Sequence, residues 1–269
     1  MKNKLVFLLL LSFSLNLIVP PFTIAIADEK KVAIVIDDFG NNMKGTKEIL
    51  SLPATLTVAV MPFLTTTKED AELAHKIGHE VILHLPMEPR KGKKSWLGPG
   101  AITTDLSDEE IFKRVNAAID DVPHIVGINN HMGSKATSDE RVMRIVLGVC
   151  KERGLFYLDS KTSGKSVVAE IATELGVPYL ENELFFDEVY TTKHIIKQTN
   201  QLIRKMDEQD SIIAIGHVGV AGEKTASVLK QYIPTLKRKA KTVPLSDLLL
   251  DKVEPIIEIN MVVMVNTFK

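Results

Sequence analysis

Between residues 31 and 250, short apolar, β-branched runs alternate with amphipathic stretches of helical period. Residues 32–36, 56–60, 80–83, 125–128, 155–158, 178–180 and 212–215 read as strands, with 242–244 as an eighth. Residues 44–50, 68–77, 107–121, 138–153, 166–175, 192–208 and 223–239 read as the intervening helices. Ser107, with Glu110 three residues later, has the capping-box pattern, and Ser138 stands where the next helix needs its cap. Gly154 and Gly176 close two helices. Strand and helix alternating at this spacing predict a mainly parallel sheet with crossover helices. Seven or eight such units favour a (β/α) barrel over a doubly wound open sheet. Residues 90–100, rich in Gly, Lys and Pro, read as a long loop and carry the only tryptophan, Trp96.

Polar residues fall at particular places in this pattern. Asp37 and Asp38 follow the first strand, and His84 ends the third. Asn129, Asn130 and His131 end the fourth, Asp159 the fifth and His217 the seventh. In a parallel α/β fold these strand ends share one face, which in barrels carries the active site. Taken singly, each residue has a simpler role: an Asp after a strand can cap a helix, and a lone His is commonly a hydrogen-bonded core residue. The weight lies in their convergence on one rim. His75, His79, His124 and His194 fall elsewhere and read as structural or solvent-exposed.

Two imidazoles and a carboxylate leave an open position on zinc for water, and the same set suits other borderline divalent ions. A second carboxylate beside the ligand is a natural general base, and a histidine opposite can protonate a leaving group. Because neighbouring side chains on a strand alternate, Asp37 and Asp38 are expected to point apart, one as ligand and one as base.

The ends of the chain change the picture of where it works. Lys2 and Lys4, an almost wholly apolar stretch over residues 5–19, and Ala25-Ile26-Ala27 form the three regions of a secretory signal. Cleavage after residue 27 is expected, with export to the periplasm, cell envelope or exterior. A single domain over 28–250 then precedes a tail over 251–269 with no assigned role. The apolar run at 261–265 is too short to span a membrane and reads as an added strand. Composition is ordinary for a globular chain, 45% hydrophobic and 25% charged. A net charge of −1 gives no reason to expect nucleic acid or an anionic membrane as partner. Cys150 is the sole cysteine, so no intrachain disulfide forms, and it reads as a small apolar packing residue.

The wording of these segments resembles a known family. Val35-Ile36-Asp37-Asp38-Phe39-Gly40 is similar to the T-F-D-D-G motif of polysaccharide deacetylases, and Gly78-His79-Glu80-Val81-Ile82-Leu83-His84 to the start of their metal-binding motif. Ile215-Gly216-His217 resembles their late L-x-H motif. With His84-Leu85-Pro86-Met87-Glu88-Pro89, Gly127 through Ser134 and Leu158-Asp159-Ser160, the chain resembles the divergent branch over about residues 31–250. The resemblance implies a distorted (β/α) barrel and metal-dependent deacetylation of a carbohydrate at nitrogen or oxygen. It implies Asp37 as base, Asp38 and His84 as ligands of a divalent ion, zinc first, and His217 as the acid.

Two departures stand out. Glu88 occupies the second position of the usual H-x-x-x-H, so His131 is the expected third ligand and Glu88 its competitor. The usual R-P motif is absent, and Asn129, Asn130 and His131 stand in its part of the chain. Asp159 is expected to orient a ligand histidine or to be solvated at its strand end, and Trp96 to stack on a sugar or pack on the rim. A catalytically inactive metal- or glycan-binding envelope protein is the alternative reading, and a hydrolase of another ester or amide a third.

Overall fold

The computed structural model describes residues 29–250; the expected signal over 1–27 and the tail over 251–269 lie outside the described residues. The strands are β1 (Lys31–Phe39), β2 (Thr57–Val60), β3 (Glu80–Met87), β4 (Ile125–Met132), β5 (Phe156–Asp159), β6 (Tyr179–Glu181), β7 (Leu184–Phe185), β8 (Ser211–His217) and β9 (Lys241–Thr242). The helices are α1 (Thr46–Leu50), α2 (Thr67–Lys76), α3 (Asp108–Asp121), α4 (Glu140–Arg153), α5 (Val168–Leu175), α6 (Thr192–Glu208), α7 (Gly222–Lys239) and α8 (Asp247–Leu250).

The sheet runs β6-β5-β4-β3-β2-β1-β8-β7, and every registered pair is parallel. β1 sits inside it and is buried from Val32 to Asp37, which explains its near-continuous apolar run. Its side chains divide by period two. Val32, Ile34 and Ile36 face the helix layer, while Ala33 and Val35 join a second, smaller cluster with Ile82, Leu158, Leu180 and Ile215. That inner cluster draws on strands from both flanks of the path, so the sheet curls around it. No ladder joins β6 to β7 among the described residues, so the expected barrel is distorted and incompletely closed.

The lower end of the barrel is sealed by the last described residues. β9 pairs with Lys31 and Val32 of β1, below the point where β2 begins its own pairing at Val35. The Leu245 amide then donates to Thr57 Oγ1, and Val243, Leu245 and Leu248 fill the inner cluster from beneath. The upper end is left to polar groups. The inward rows read Ala33–Val35–Asp37, Ile82–His84 and Ile213–Ile215–His217, apolar below and ionisable above.

Several boundaries differ from expectation, for one reason. β1, β3, β4 and β8 do not stop at the first polar residue but run through it, because each still has a ladder partner there. His84 pairs with Asn129, Pro86 with His131, and Asp37 with His217. The site residues therefore sit on strands, which hold side chains more rigidly than loops do. β7, at two residues, is too short to give a periodic signal. Asp139, not Ser138, caps α4, accepting from the Val142 amide. Ser138 ends a preceding 3-10 turn, and its hydroxyl donates to the Ser134 carbonyl. Ser107 caps α3 as expected. No helix among the described residues is long and apolar enough to cross a membrane.

Candidate functional site

Asp37 and Asp38 do not point apart as simple alternation predicts. The β1–β2 register shifts between Ile36 and Phe39, and Asp38 takes φ 72°, a left-handed conformation uncommon outside glycine. This kink turns both carboxylates towards His84. Asp37 Oδ2 lies 3.7 Å from its Nδ1, and Asp38 Oδ1 3.3 Å from its Nε2. Such backbone strain persists only where the surroundings impose it, and it concentrates at functional sites.

Three atoms from three strands then meet. Asp38 Oδ1 is 3.0 Å from His131 Nδ1, and His131 Nδ1 is 3.1 Å from His84 Nε2. These edges match the roughly 3–3.5 Å expected between ligand atoms around an ion with bonds of about 2.0–2.2 Å. The proton positions support the same use. His131 Nε2 is 3.0 Å from the Trp96 carbonyl, which can only accept, so the proton sits on Nε2 and leaves a lone pair on Nδ1. Asn129 Nδ2 donates to Asp37 Oδ1 at 2.9 Å, which aims its own Oδ1 at His84 Nδ1, 2.7 Å away. His84 therefore carries its proton on Nδ1 and a lone pair on Nε2. In these tautomers Asp38 Oδ1, shielded from solvent, receives no hydrogen bond; a proton on either facing nitrogen would instead be donated to it. With the protons on His131 Nε2 and His84 Nδ1, the tautomers these neighbours favour, three lone pairs converge in a donor set that fits a divalent cation.

Electrostatics follow this arrangement. Burial pushes the Asp38 carboxyl up, but the imidazoles of His131 and His84 against it hold it well below the usual carboxylate range. Burial presses His84 down, and Asp37 and Asp38 outweigh it, so its affinity for positive charge is raised. Asp37 is 1% exposed, and burial raises its pKa despite the opposing pull of His84 and His217.

His217 rises from β8, on the far side of β1 from His84 and His131. Asp187 holds it twice: Asp187 Oδ1 accepts from Nδ1 at 2.7 Å, and Oδ2 accepts from the His217 amide at 2.9 Å. Thr225 also donates to Asp187, so this buried carboxylate is fully engaged. Burial presses His217 down, but Asp187 first, then Asp38 and Asp37, push its pKa up to about 10. Asp187 follows the apolar stretch Leu184–Phe186, the one signal in the sequence that could have singled it out.

The remaining expected residues lie elsewhere. Glu88, the competing third ligand, accepts from the Thr104 amide and hydroxyl and from Lys135, and stays outside the triangle. Asp159 accepts from the Lys161 amide and makes no hydrogen bond to a ligand histidine; Asn129 does that work instead. Trp96 is exposed and lines a cleft of about 400 Å³ above the site, together with Asp37, Asp38, His84, His131 and His217.

Against known proteins, the family model described as divergent polysaccharide deacetylase matches residues 34–249. The chain is 37% identical over 219 residues to the uncharacterized protein YibQ of Escherichia coli (strain K12), covering 81% of this chain and 67% of that one. It is 35% identical over 189 residues to an uncharacterized protein of Haemophilus influenzae (strain ATCC 51907 / DSM 11121 / KW20 / Rd), covering 70% and 67%. It therefore spans about two thirds of the length of each. Among solved structures, the uncharacterized protein ATU2773 from Agrobacterium tumefaciens C58 has the same fold, with a TM-score of 0.76 at 20% identity over 82% of this chain and 90% of that one.

Proposed function

The chain belongs to the divergent polysaccharide deacetylase family, and from that premise we propose that it is an exported, metal-dependent hydrolase that removes acetyl groups from a cell-envelope or extracellular carbohydrate. The observation that carries this reading is the convergence of Asp38 Oδ1, His84 Nε2 and His131 Nδ1 within 3.3 Å of one another, with Asp37 on one side and His217 on the other.

A divalent ion held there, zinc first, would acidify a bound water and polarise the acetyl carbonyl. Asp37 receives the proton of the attacking water, and its raised pKa makes it a stronger base than an ordinary carboxylate. His217 presents the proton on Nε2 to the cleft, since its Nδ1 proton is committed to Asp187. As the bond from the acetyl carbon to nitrogen or oxygen breaks, that proton passes to the leaving atom, and acetate and the free amine or alcohol remain. His131 takes the place left open by Glu88, which supports an intact ligand set. The signal-like N-terminus supports export.

Metal content tests the reading. The full chain should bind about one equivalent of zinc or a similar ion, His84→Ala and His131→Ala should lose it, and Glu88→Ala should keep it, with three protein ligands as in open catalytic zinc sites. A chain that takes up no ion after reconstitution would remove this reading, and saturable glycan binding without acetate release would then favour a binding protein without turnover. A panel of acetylated glycans and simple esters and amides then separates carbohydrate deacetylation from hydrolysis of other substrates.

The rate should also depend on pH in a bell shape. Asp37 must be deprotonated, so kcat/KM rises with pH through a value above that of an ordinary carboxylate. His217 must be protonated, so the rate falls again at or below about 10. Replacing His217 by Gln should flatten the alkaline limb.

A further inference from the structure

The proposed reaction uses the floor of the cleft and leaves its rim unexplained. Met43, Trp96, Tyr190 and Val220 are large apolar side chains exposed to solvent, and all four line this one cleft. Single exposed apolar residues are ordinary, but several converging on one opening mark a contact surface. The two aromatics, Trp96 at 58% exposure and Tyr190 at 56%, flank the reaction centre. The carbonyl of Trp96 accepts from His131, a metal-ligand candidate on β4. Tyr190 lies three residues beyond Asp187, which holds His217 on β8, and its own carbonyl accepts from Lys224 Nζ. A platform on each side suits a chain of sugar rings lying across the cleft, since pyranose faces stack on aromatic rings.

Charge distinguishes the two sides. Residues 89–104 contain Arg90, Lys91, Lys93 and Lys94 and no acidic residue. Arg90, Lys91 and Lys93 are exposed, and none forms an ion pair with an acidic side chain among the described residues. Lys93 Nζ lies 5.7 Å from the centroid of the Trp96 ring. The segment is nevertheless pinned to the site. The Arg90 amide donates to Ser134 Oγ, the Trp96 carbonyl takes His131, and Met87 bridges to Ile102. On the Tyr190 side the cleft carries Glu188 instead. The three cations do not line the cleft themselves, but they stand on the segment that reaches it through Trp96, and exposed cations beside an opening attract anions and orient them.

We propose that the substrate is an acidic glycan, its sugar rings spanning Trp96 and Tyr190 and its carboxylate or phosphate groups against Arg90, Lys91 and Lys93. The proposal rests on the hydrolase reading for the word substrate, but the binding preference stands apart from turnover.

Trp96 is the sole tryptophan, so intrinsic fluorescence reports on this rim directly. The full chain is titrated at low salt with three probes: an N-acetylglucosamine hexamer, O-acetylated polygalacturonate, and a phosphodiester-linked hexosamine polymer. At least one polyanion should bind about tenfold more tightly than the neutral hexamer, and the preference should fade as added salt screens it. Whichever polyanion binds identifies carboxylate or phosphate as the recognised group. The Arg90→Gln/Lys91→Gln/Lys93→Gln variant, with far-ultraviolet circular dichroism unchanged, should lose that preference and keep its affinity for the hexamer. Equal binding of all three probes, no binding of any, or a preference untouched in the triple variant would overturn the proposal. Acetate release from the hexamer, with none from either polyanion in acetylated form, would remove the acidic substrate and keep the hydrolase. Salt-sensitive polyanion binding without acetate release would keep the recognition and remove the hydrolase.

Discussion

Asp37→Asn should retain its metal and lose about 10²–10⁴-fold in kcat, the usual share of a general base. Asp37 stands outside the ligand triangle, so the amide disturbs none of the three atoms that would hold the ion. The Asn side chain keeps the shape and can still accept from Asn129 Nδ2, but it cannot take a proton. Stability should be unchanged or higher. Burial makes the Asp37 charge unfavourable, as its raised pKa records, and the substitution removes that charge. Acetate release, bound zinc and thermal midpoint measured on one preparation decide the matter. Full activity would remove Asp37 as base, and loss of zinc would make it a ligand.

Asn129 should divide in two under substitution. It is fully buried, and its amide serves one neighbour with each end: Oδ1 takes the His84 proton and Nδ2 supports Asp37. Asn129→Leu strands both neighbours in the interior, at about 1–3 kcal/mol for each group and more for a charged one. It also frees the His84 ring to turn or change tautomer, so zinc affinity should drop about 10–100-fold, the usual cost of losing such a partner. Asn129→Asp keeps an acceptor for His84 but sets a second carboxylate against Asp37, raising its pKa further. Zinc should then stay bound while turnover falls. Calorimetric zinc titrations of the two variants, beside their rates, test this division. Undiminished affinity in Asn129→Leu would show that Asn129 does not position His84.

Much of this site could be read along the chain because parallel strands put their C-terminal ends on one face. Asp37, Asp38, His84, His131 and His217 do meet there. The rest depended on features with no local signature. The aim of Asp38 comes from a register shift and a left-handed residue in a position where alternation predicts the opposite direction. Asp187 stands beside a two-residue strand, below the length at which periodicity means anything. Asn129 was visible as a polar strand residue, but its role depends on β4 lying beside β3 in one register. Glu88 shows the reverse case: a residue prominent in the motif is taken up by Thr104 and Lys135, which bind it to a loop.

The place of β1 has a consequence for how the chain reaches its native state. Its upper edge pairs with β2, close in sequence, but its other edge pairs with β8 along the whole stretch from Lys31 to Asp37. β9 returns later still, and the Leu245–Thr57 bond that follows it closes a separation of 188 residues. Contacts of such range come late, because the entropy of closing a large loop is spent before the contacts repay it. Asp37 and His217 thus become neighbours near the end of folding, and a chain cut before β8 would leave one side of β1 bare. Refolding should accordingly be slow, and catalytic competence should return with the last kinetic phase rather than with the first helical signal.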